Sequence, residues 1–422
     1  MASFHAEYLS QNHRKATILL GCTLVALALL ASQLFALPLT SASALSGNSN
    51  SPGLLIFSHP SNRTLTSPKA GYDGNFGQSV ATNGNTVVVG APYENASGYY
   101  EAGHAYIFNA KTGKLIRALT SPEVQAYGFF GFSVAISGGT IVVGAPYETA
   151  SGQEYAGHAY VFNAANGKSI SNLTSPNPQF GGFFGHSVSV TSGIALVGAP
   201  GENASGYGSA GHAYAFNVLS GKLTQTLTSP SPASDGYFGQ SVSISGNLAV
   251  AGAPGQRRAY TFNASSGELV STLESPNSGG GFGDSVGASG GIVVVGAPGE
   301  TADGHIYAGN AYVFSAETGK IISNLTSPNP QALGFFGYSV AISHKVVVVG
   351  AEYETADGES AAGHAYTFNA ETGGLLGTYV SLNVQSNGRF GYSVSISRGT
   401  IVVGAPFETA KGLKDAGHAY IF

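Results

Sequence analysis

The chain has 422 residues, of which 61 are glycine and only 9% are charged, with a formal net charge of −5. So few charges and so many glycines suit short strands and tight turns rather than helical bundles, and the lack of a basic patch argues against a nucleic-acid partner. The only cysteine, Cys22, lies in an apolar N-terminal run, so the remainder of the chain has no disulfide and no thiol chemistry.

Arg14 and Lys15 precede that run, which extends from Ala16 to Pro38. At ~1.5 Å per helical residue it is long enough to cross a bilayer core of about 30 Å. Ala42-Ser43-Ala44 supplies the small residues of a cleavage site. Residues 1–44 are therefore read either as a cleaved signal peptide or as an uncleaved single-pass membrane anchor. Both place the rest of the chain outside the cytoplasm, secreted or at the cell surface. Residues 45–61, rich in Ser, Asn, Gly and Pro, read as a flexible linker. Asn-x-Ser/Thr sequons at Asn62, Asn95, Asn172, Asn203, Asn263 and Asn324 are glycosylation candidates in an exported protein.

From residue 62 onward one unit recurs seven times, with Phe-Gly pairs starting at Phe76, Phe130, Phe184, Phe238, Phe282, Phe336 and Phe390. The spacing is 54 residues except for one interval of 44. A period this regular marks a repeat architecture. In the second unit, strand A is Ser133-Val134-Ala135-Ile136, followed by a turn at Ser137-Gly138-Gly139. Strand B, Ile141-Val142-Val143, is continuously apolar and so is expected to be buried on both faces. It ends at Gly144-Ala145-Pro146. After a loop of about ten residues comes strand C, Gly157-His158-Ala159-Tyr160-Val161-Phe162, then a turn and strand D from Ser169 to Leu173. On strand C, Gly157, Ala159 and Val161 share one face and His158, Tyr160 and Phe162 the other. The small face lets a neighbouring sheet approach, and the aromatic face fills the space on the other side.

Seven four-stranded sheets buried on both faces predict an all-β fold, a seven-bladed β-propeller of antiparallel blades over residues 62–422. The last unit stops at Tyr420-Ile421-Phe422, where strand C ends, while Asn62-Arg63-Thr64-Leu65-Thr66-Ser67-Pro68 matches strand D of the other units. The N-terminal strand is thus expected to complete the last blade and leave no open edge.

These Phe-Gly-x-Ser-Val, Val-Val-Gly-Ala-Pro and Ala-Tyr-x-Phe signatures resemble the FG-GAP repeat of the integrin alpha-chain propeller, and more closely its short microbial form. The resemblance implies an extracellular setting and, by the better-known members, adhesion. Integrin-type repeats often carry an Asp-x-Asp-x-Asp-Gly calcium loop. The corresponding turns here, such as Thr82-Asn83-Gly84-Asn85 and Ser343-His344-Lys345, lack the carboxylates Ca²⁺ requires, so no metal site is carried over.

The A–B and C–D turns are short and monotonous, whereas the B–C and D–A loops are long and share one face. That face is where function on a repeat scaffold is expected. Three departures mark it. The ten missing residues of the fourth unit fall in its B–C loop, leaving a notch beside Gln256, Arg257 and Arg258. The residue before Phe-Gly is often aromatic, as at Phe129, Phe183, Tyr237 and Phe335. The residue after Phe-Gly varies and includes Tyr338 and Tyr392. Because strand A is innermost, these last positions are expected around the channel mouth. The aromatics before Phe-Gly also admit a reading as packing between blades.

The B–C loops open on Glu94, Glu148, Glu202, Glu300, Glu354 and Glu408 and close on His104, His158, His212, His364 and His418. The fifth unit has Asn310 and the fourth Arg258 at the His position. Pairs Glu94–His104, Glu148–His158, Glu202–His212, Glu354–His364 and Glu408–His418 are expected to pin the loops. A metal shared around the ring is excluded by size: strands ~4.8 Å apart set third strands on the order of 15 Å from the axis, against Zn–N bonds of about 2.0–2.1 Å.

The sequence supports a binding or adhesion module for extracellular protein or glycan, held at the membrane through its N-terminus if that segment is uncleaved. The alternative is a structural cell-envelope component. An enzyme reading has little behind it. The turn Ala110-Lys111-Thr112-Gly113-Lys114-Leu115-Ile116 is similar to quinoprotein repeats, but the Trp and paired Cys typical of that family are absent. No catalytic residue and no cofactor is assigned.

Overall fold

The computed structural model describes residues 62–422 apart from Ser192 and Ser278. The segments read from the sequence as leader and linker, residues 1–61, lie outside the described residues. Seven four-stranded antiparallel sheets span residues 79–119, 133–174, 187–227, 242–274, 285–326, 339–379 and 393–421, the last completed by Arg63–Thr66. We number these blades one to seven and their strands A to D from the axis outward. The A strands of successive blades touch in order and the seventh touches the first, so the ring is closed. The latch is in register: Arg63 faces Ile421, Thr64 faces Tyr420, Leu65 faces Ala419 and Thr66 faces His418.

Phe-Gly and Gly-Ala-Pro recur because together they form the joint between blades. Gly131 has φ +94°, a conformation open to glycine, and its N–H donates to the Gly144 carbonyl at 3.0 Å within its own blade. Its carbonyl turns to the preceding blade and accepts from Ser79 Oγ at 2.8 Å. A Cβ on Gly90 would lie 1.9 Å from that same oxygen, so the Gly of Gly-Ala-Pro must lack a side chain. The arrangement repeats around the ring, from Ser133 to Gly185 and finally from Ser393 back to Gly77, both at 2.8 Å.

Seven apolar clusters fill the seven interfaces. Between blades one and two, Ala105 and Ile107 of one strand C meet Phe130, Tyr160 and Phe162 of the next blade. Phe130 lies 6.0 Å from the Tyr160 ring and edge-on to Phe162 at 5.8 Å. Each fully buried aromatic of this kind contributes roughly 1.5–3 kcal/mol. The closing interface has the same composition, with Leu65, Ala419 and Ile421 against Phe76, Tyr106 and Phe108. Strand B is buried along nearly its whole length, as in Thr140–Ala145.

Candidate ligand-binding face

Six of the seven B–C loops are built around a buried carboxylate. Glu148 is fully buried, and its Oε2 accepts from Tyr160 Oη at 2.5 Å and lies 3.0 Å from His158 Nδ1. Glu202 does the same with Tyr214 at 2.5 Å and His212 at 3.0 Å, and its Oε1 accepts from Ser175 Oγ at 2.5 Å. Ser175 follows strand D of the preceding blade, so the carboxylate ties its own hairpin to a neighbour. Glu94 Oε2 lies 3.2 Å from His104 Nδ1, and Glu354 Oε2 lies 3.1 Å from His364 Nδ1. These contacts lie off the N–H direction, and only His418 Nδ1 makes an aligned hydrogen bond, to Glu408 at 2.8 Å. Glu300 is held by Tyr312 at 2.5 Å and Asn310 at 2.8 Å. Burial, reinforced by the adjacent carboxylate, holds the Tyr106, Tyr160, Tyr214, Tyr366 and Tyr420 phenols well above the usual range.

In the shortened fourth blade Gln256 turns inward and takes the carboxylate's place. Its Oε1 accepts from Tyr260 Oη at 2.7 Å and from Ser229 Oγ at 2.8 Å. Arg258, at the His position, pairs with Glu274 at 2.7 Å, and Arg257 stands exposed at φ +55°. Glutamines of the D–A loops fasten the B–C loops from above, as where Gln125 Oε1 accepts from Thr149 N at 2.8 Å.

The aromatics before Phe-Gly sit at positive φ: Phe129 at 53°, Phe183 at 54°, Tyr237 at 51° and Phe335 at 52°. Three of them knit neighbouring loops together. Phe129 lies 4.8 Å from Tyr93 and 4.8 Å from Tyr147, Phe183 lies 5.1 Å from Tyr147, and Phe335 lies 5.3 Å from Tyr353. Tyr237, beside the notch, is 38% exposed.

The variable residues after Phe-Gly, Gln78, Phe132, His186, Gln240, Asp284, Tyr338 and Tyr392, line one cavity of about 270 Å³ on the axis. Phe132 lies 5.0 Å from His186, Tyr338 lies 5.1 Å from Tyr392, and Gln78 Nε2 donates to Tyr392 Oη at 3.0 Å. Asp284 is exposed to solvent at the channel, although the protein crowded around it partly desolvates its carboxyl. Burial pushes its carboxyl up to about 7 and lowers His186 to about 4. A second hollow of about 470 Å³, lined by Tyr237, Gln240, Pro254, Gly255, Gly281 and Asp284, occupies the notch.

One further departure lies beside the channel. Glu352 stands where every other repeat has the Pro of Gly-Ala-Pro. It is 2% exposed with Oε2 unpartnered, and burial pushes its carboxyl up to about 7 against the opposing effect of Arg389. Arg389 itself replaces the aromatic before Phe-Gly and lies over the Tyr353 and Phe407 rings at 4.3 and 4.5 Å.

Among the described residues no three His, Cys, Asp or Glu converge as a metal site, and no helix is long and apolar enough to cross a membrane. The sequons at Asn62, Asn95, Asn172, Asn203 and Asn324 are exposed, while Asn263 is half-buried. Asn263 Oδ1 accepts from the Ser265 and Ser266 N–H groups at 3.0 Å. Asn109, Asn163, Asn217 and Asn369 cap the same turn in other blades, so this sequon arises from turn chemistry.

The FG-GAP repeat profile matches residues 62–108, 115–162, 222–269, 322–368 and 380–422. The chain is an FG-GAP repeat protein. Four of the five matches begin at strand D of one blade and all five run through strand C of the next, the same offset that leaves the seventh blade to be completed by the N-terminus. The geometry extends the FG-GAP unit to the two stretches between the matches, giving seven blades in all. No curated protein sequence matches the chain significantly. Among solved structures, the computationally designed Ika8 protein is similar at 16% identity and a TM-score of 0.51, covering 85% of this chain and 98% of its own. That likeness bears on the fold alone.

Proposed function

We propose that this FG-GAP propeller is an extracytoplasmic binding module, secreted or displayed at the cell surface, that recognises protein or glycan through its loop-rich face. The observation that carries the reading is where the repeat breaks down. The shortened loop, Glu352, Arg389 and the seven channel residues, which are of five types, all lie on that face, while the opposite turns repeat with little change. Exposed aromatics accompany them: Tyr99, Tyr207 and Tyr307 are 43–49% exposed and Phe180 is 66%. Rings held on pinned loops offer contact area at low entropic cost. Export rests on the apolar N-terminal run, and the reading assigns no catalysis.

The test is binding of the full chain to whole cells and to a glycan array. Alanine at Phe180, Tyr207 and Tyr307 is expected to weaken binding, and alanine at Leu115 and Leu219 near the opposite turns is not. Loss of binding from the opposite face alone refutes the assignment. No binding to any cell or glycan favours a structural envelope role, which the exposed apolar residues of the outer strands, such as Leu115, Ile116, Ile321 and Ile322, would then serve.

A further inference from the structure

We propose that the axial channel mouth, opened sideways by the notch of the fourth blade, is a glycan subsite that seats an uncharged or basic terminal sugar. The proposal rests on the binding-module reading and goes beyond it in naming the site and the ligand chemistry. The two hollows are neighbours: Gln240 and Asp284 line both. In five of the other blades the rim is walled off by a long B–C loop and by a side chain before Phe-Gly. Here the loop is cut to a short turn at Pro254–Gln256, and Gly281 removes the side chain from the adjoining blade. The notch thus opens the rim toward the axis, and its hollow alone, about 470 Å³, falls in the range of small-ligand sites, about 300–1,000 Å³.

The lining selects the ligand. Among the described residues the Asp284 carboxylate forms no ion pair, and neither it nor the Gln240 amide makes a side-chain hydrogen bond. An apolar ligand would strip water from both groups and leave them unpaired. An anion placed against the ionised Asp284 carboxylate would be repelled. Adjacent hydroxyls satisfy both groups, donating to the carboxylate and exchanging hydrogen bonds with the amide. The half-exposed Tyr237 ring at the entrance offers a face for the C–H side of a sugar ring. Phe132, His186, Tyr338 and Tyr392 close the far wall, with His186 neutral at pH 7. The opening admits one end of a chain and leaves the remainder over the notch.

The test uses the full chain on an array of neutral, amino-bearing, sialylated and sulfated tetrasaccharides, with free cellotetraose and a chitosan tetramer as soluble competitors. Signal is expected on neutral or amino-bearing chains. Asp284→Asn, Gln240→Ala and Tyr237→Ala should each lower affinity at least tenfold with thermal melting retained. Asp284→Asn is isosteric, and Tyr237 is exposed, so at least these two variants are expected to fold. Equal affinity in all three variants, or signal confined to sialylated and sulfated chains, overturns the subsite and leaves the binding reading standing. So does wild-type binding to cells that is abolished by protease and absent from the array. Wild-type protein that binds neither cells nor glycans overturns both.

Discussion

Glu352→Gln isolates one buried charge. The wild-type carboxyl is 2% exposed, lacks a partner on Oε2, and is raised from 4.5 to about 7. A group held protonated in the fold gives stability that is intact below the unfolded value and lost as pH rises through the folded one. Its window is therefore pH 4.5 to about 7. The difference, 7 minus 4.5, corresponds to ~3 kcal/mol at ~1.36 kcal/mol per unit. For a ring of about 360 residues, with an unfolding entropy of about 2.1 cal/mol/K per residue, that is a shift of about 4 °C in melting temperature. Melting of wild type and Glu352→Gln, at pH 5 and pH 8, reads the effect. The variant should match wild type at pH 5 and melt about 4 °C higher at pH 8. Asp284, raised like Glu352, and His186, lowered, are present in both proteins and cancel in the comparison. Identical pH dependence in the two proteins would refute the argument, since it would mean the carboxylate is solvated or paired in the folded state.

Glu202→Ala strands the Tyr214 and Ser175 hydroxyls around an empty acceptor site and should cost about 3 kcal/mol or more. Glu202→Gln should cost far less, because Gln256 performs the same task in the fourth blade; urea unfolding compares the two. Gly185→Ala puts a Cβ 2.2 Å from the His158 carbonyl oxygen, at φ +91°, and should destabilise severely or abolish folding. Gly206→Ala, at φ +85° in open space, should cost only ~1–3 kcal/mol. Deleting residues 62–67 bares the edge of His418–Ile421 and should lower the melting temperature and promote self-association, detectable by light scattering. A truncated chain that melts like the parent would count against the latch.

Blade count and closure were readable because the interval between Phe-Gly pairs is rigid and because the final repeat stops one strand short of the motif supplied by Asn62–Pro68. The strand-C alternation likewise indicated which faces meet, since Ala159 and Tyr160 differ in size along a period of two. The carboxylate centre was only half legible. Glu148 and His158 flank one loop and can be paired by eye. Tyr160 reads as core filler until its hydroxyl is placed on Glu148, and Ser175 reaches Glu202 from a different blade. A contact between blades leaves no spacing signal distinct from the repeat itself. Gln256 was misleading for a related reason: beside two arginines in a shortened loop it suggests an exposed rim, but the loss of ten residues carries it into the carboxylate position. Glu352 in place of Pro was visible in the sequence, yet its meaning depends on burial and on Arg389 of the next blade.

Closure of the ring by its two ends underlies the channel, the notch and the loop-rich face, all of which require seven blades around one axis. Hydrogen–deuterium exchange of the full chain tests this directly on the peptide containing Arg63–Thr66. Closure predicts that this peptide exchanges as slowly as an internal outer strand such as Leu223–Leu227. Exchange at the rate of an unstructured segment, with His418–Ile421 unprotected along its outer edge, would contradict it.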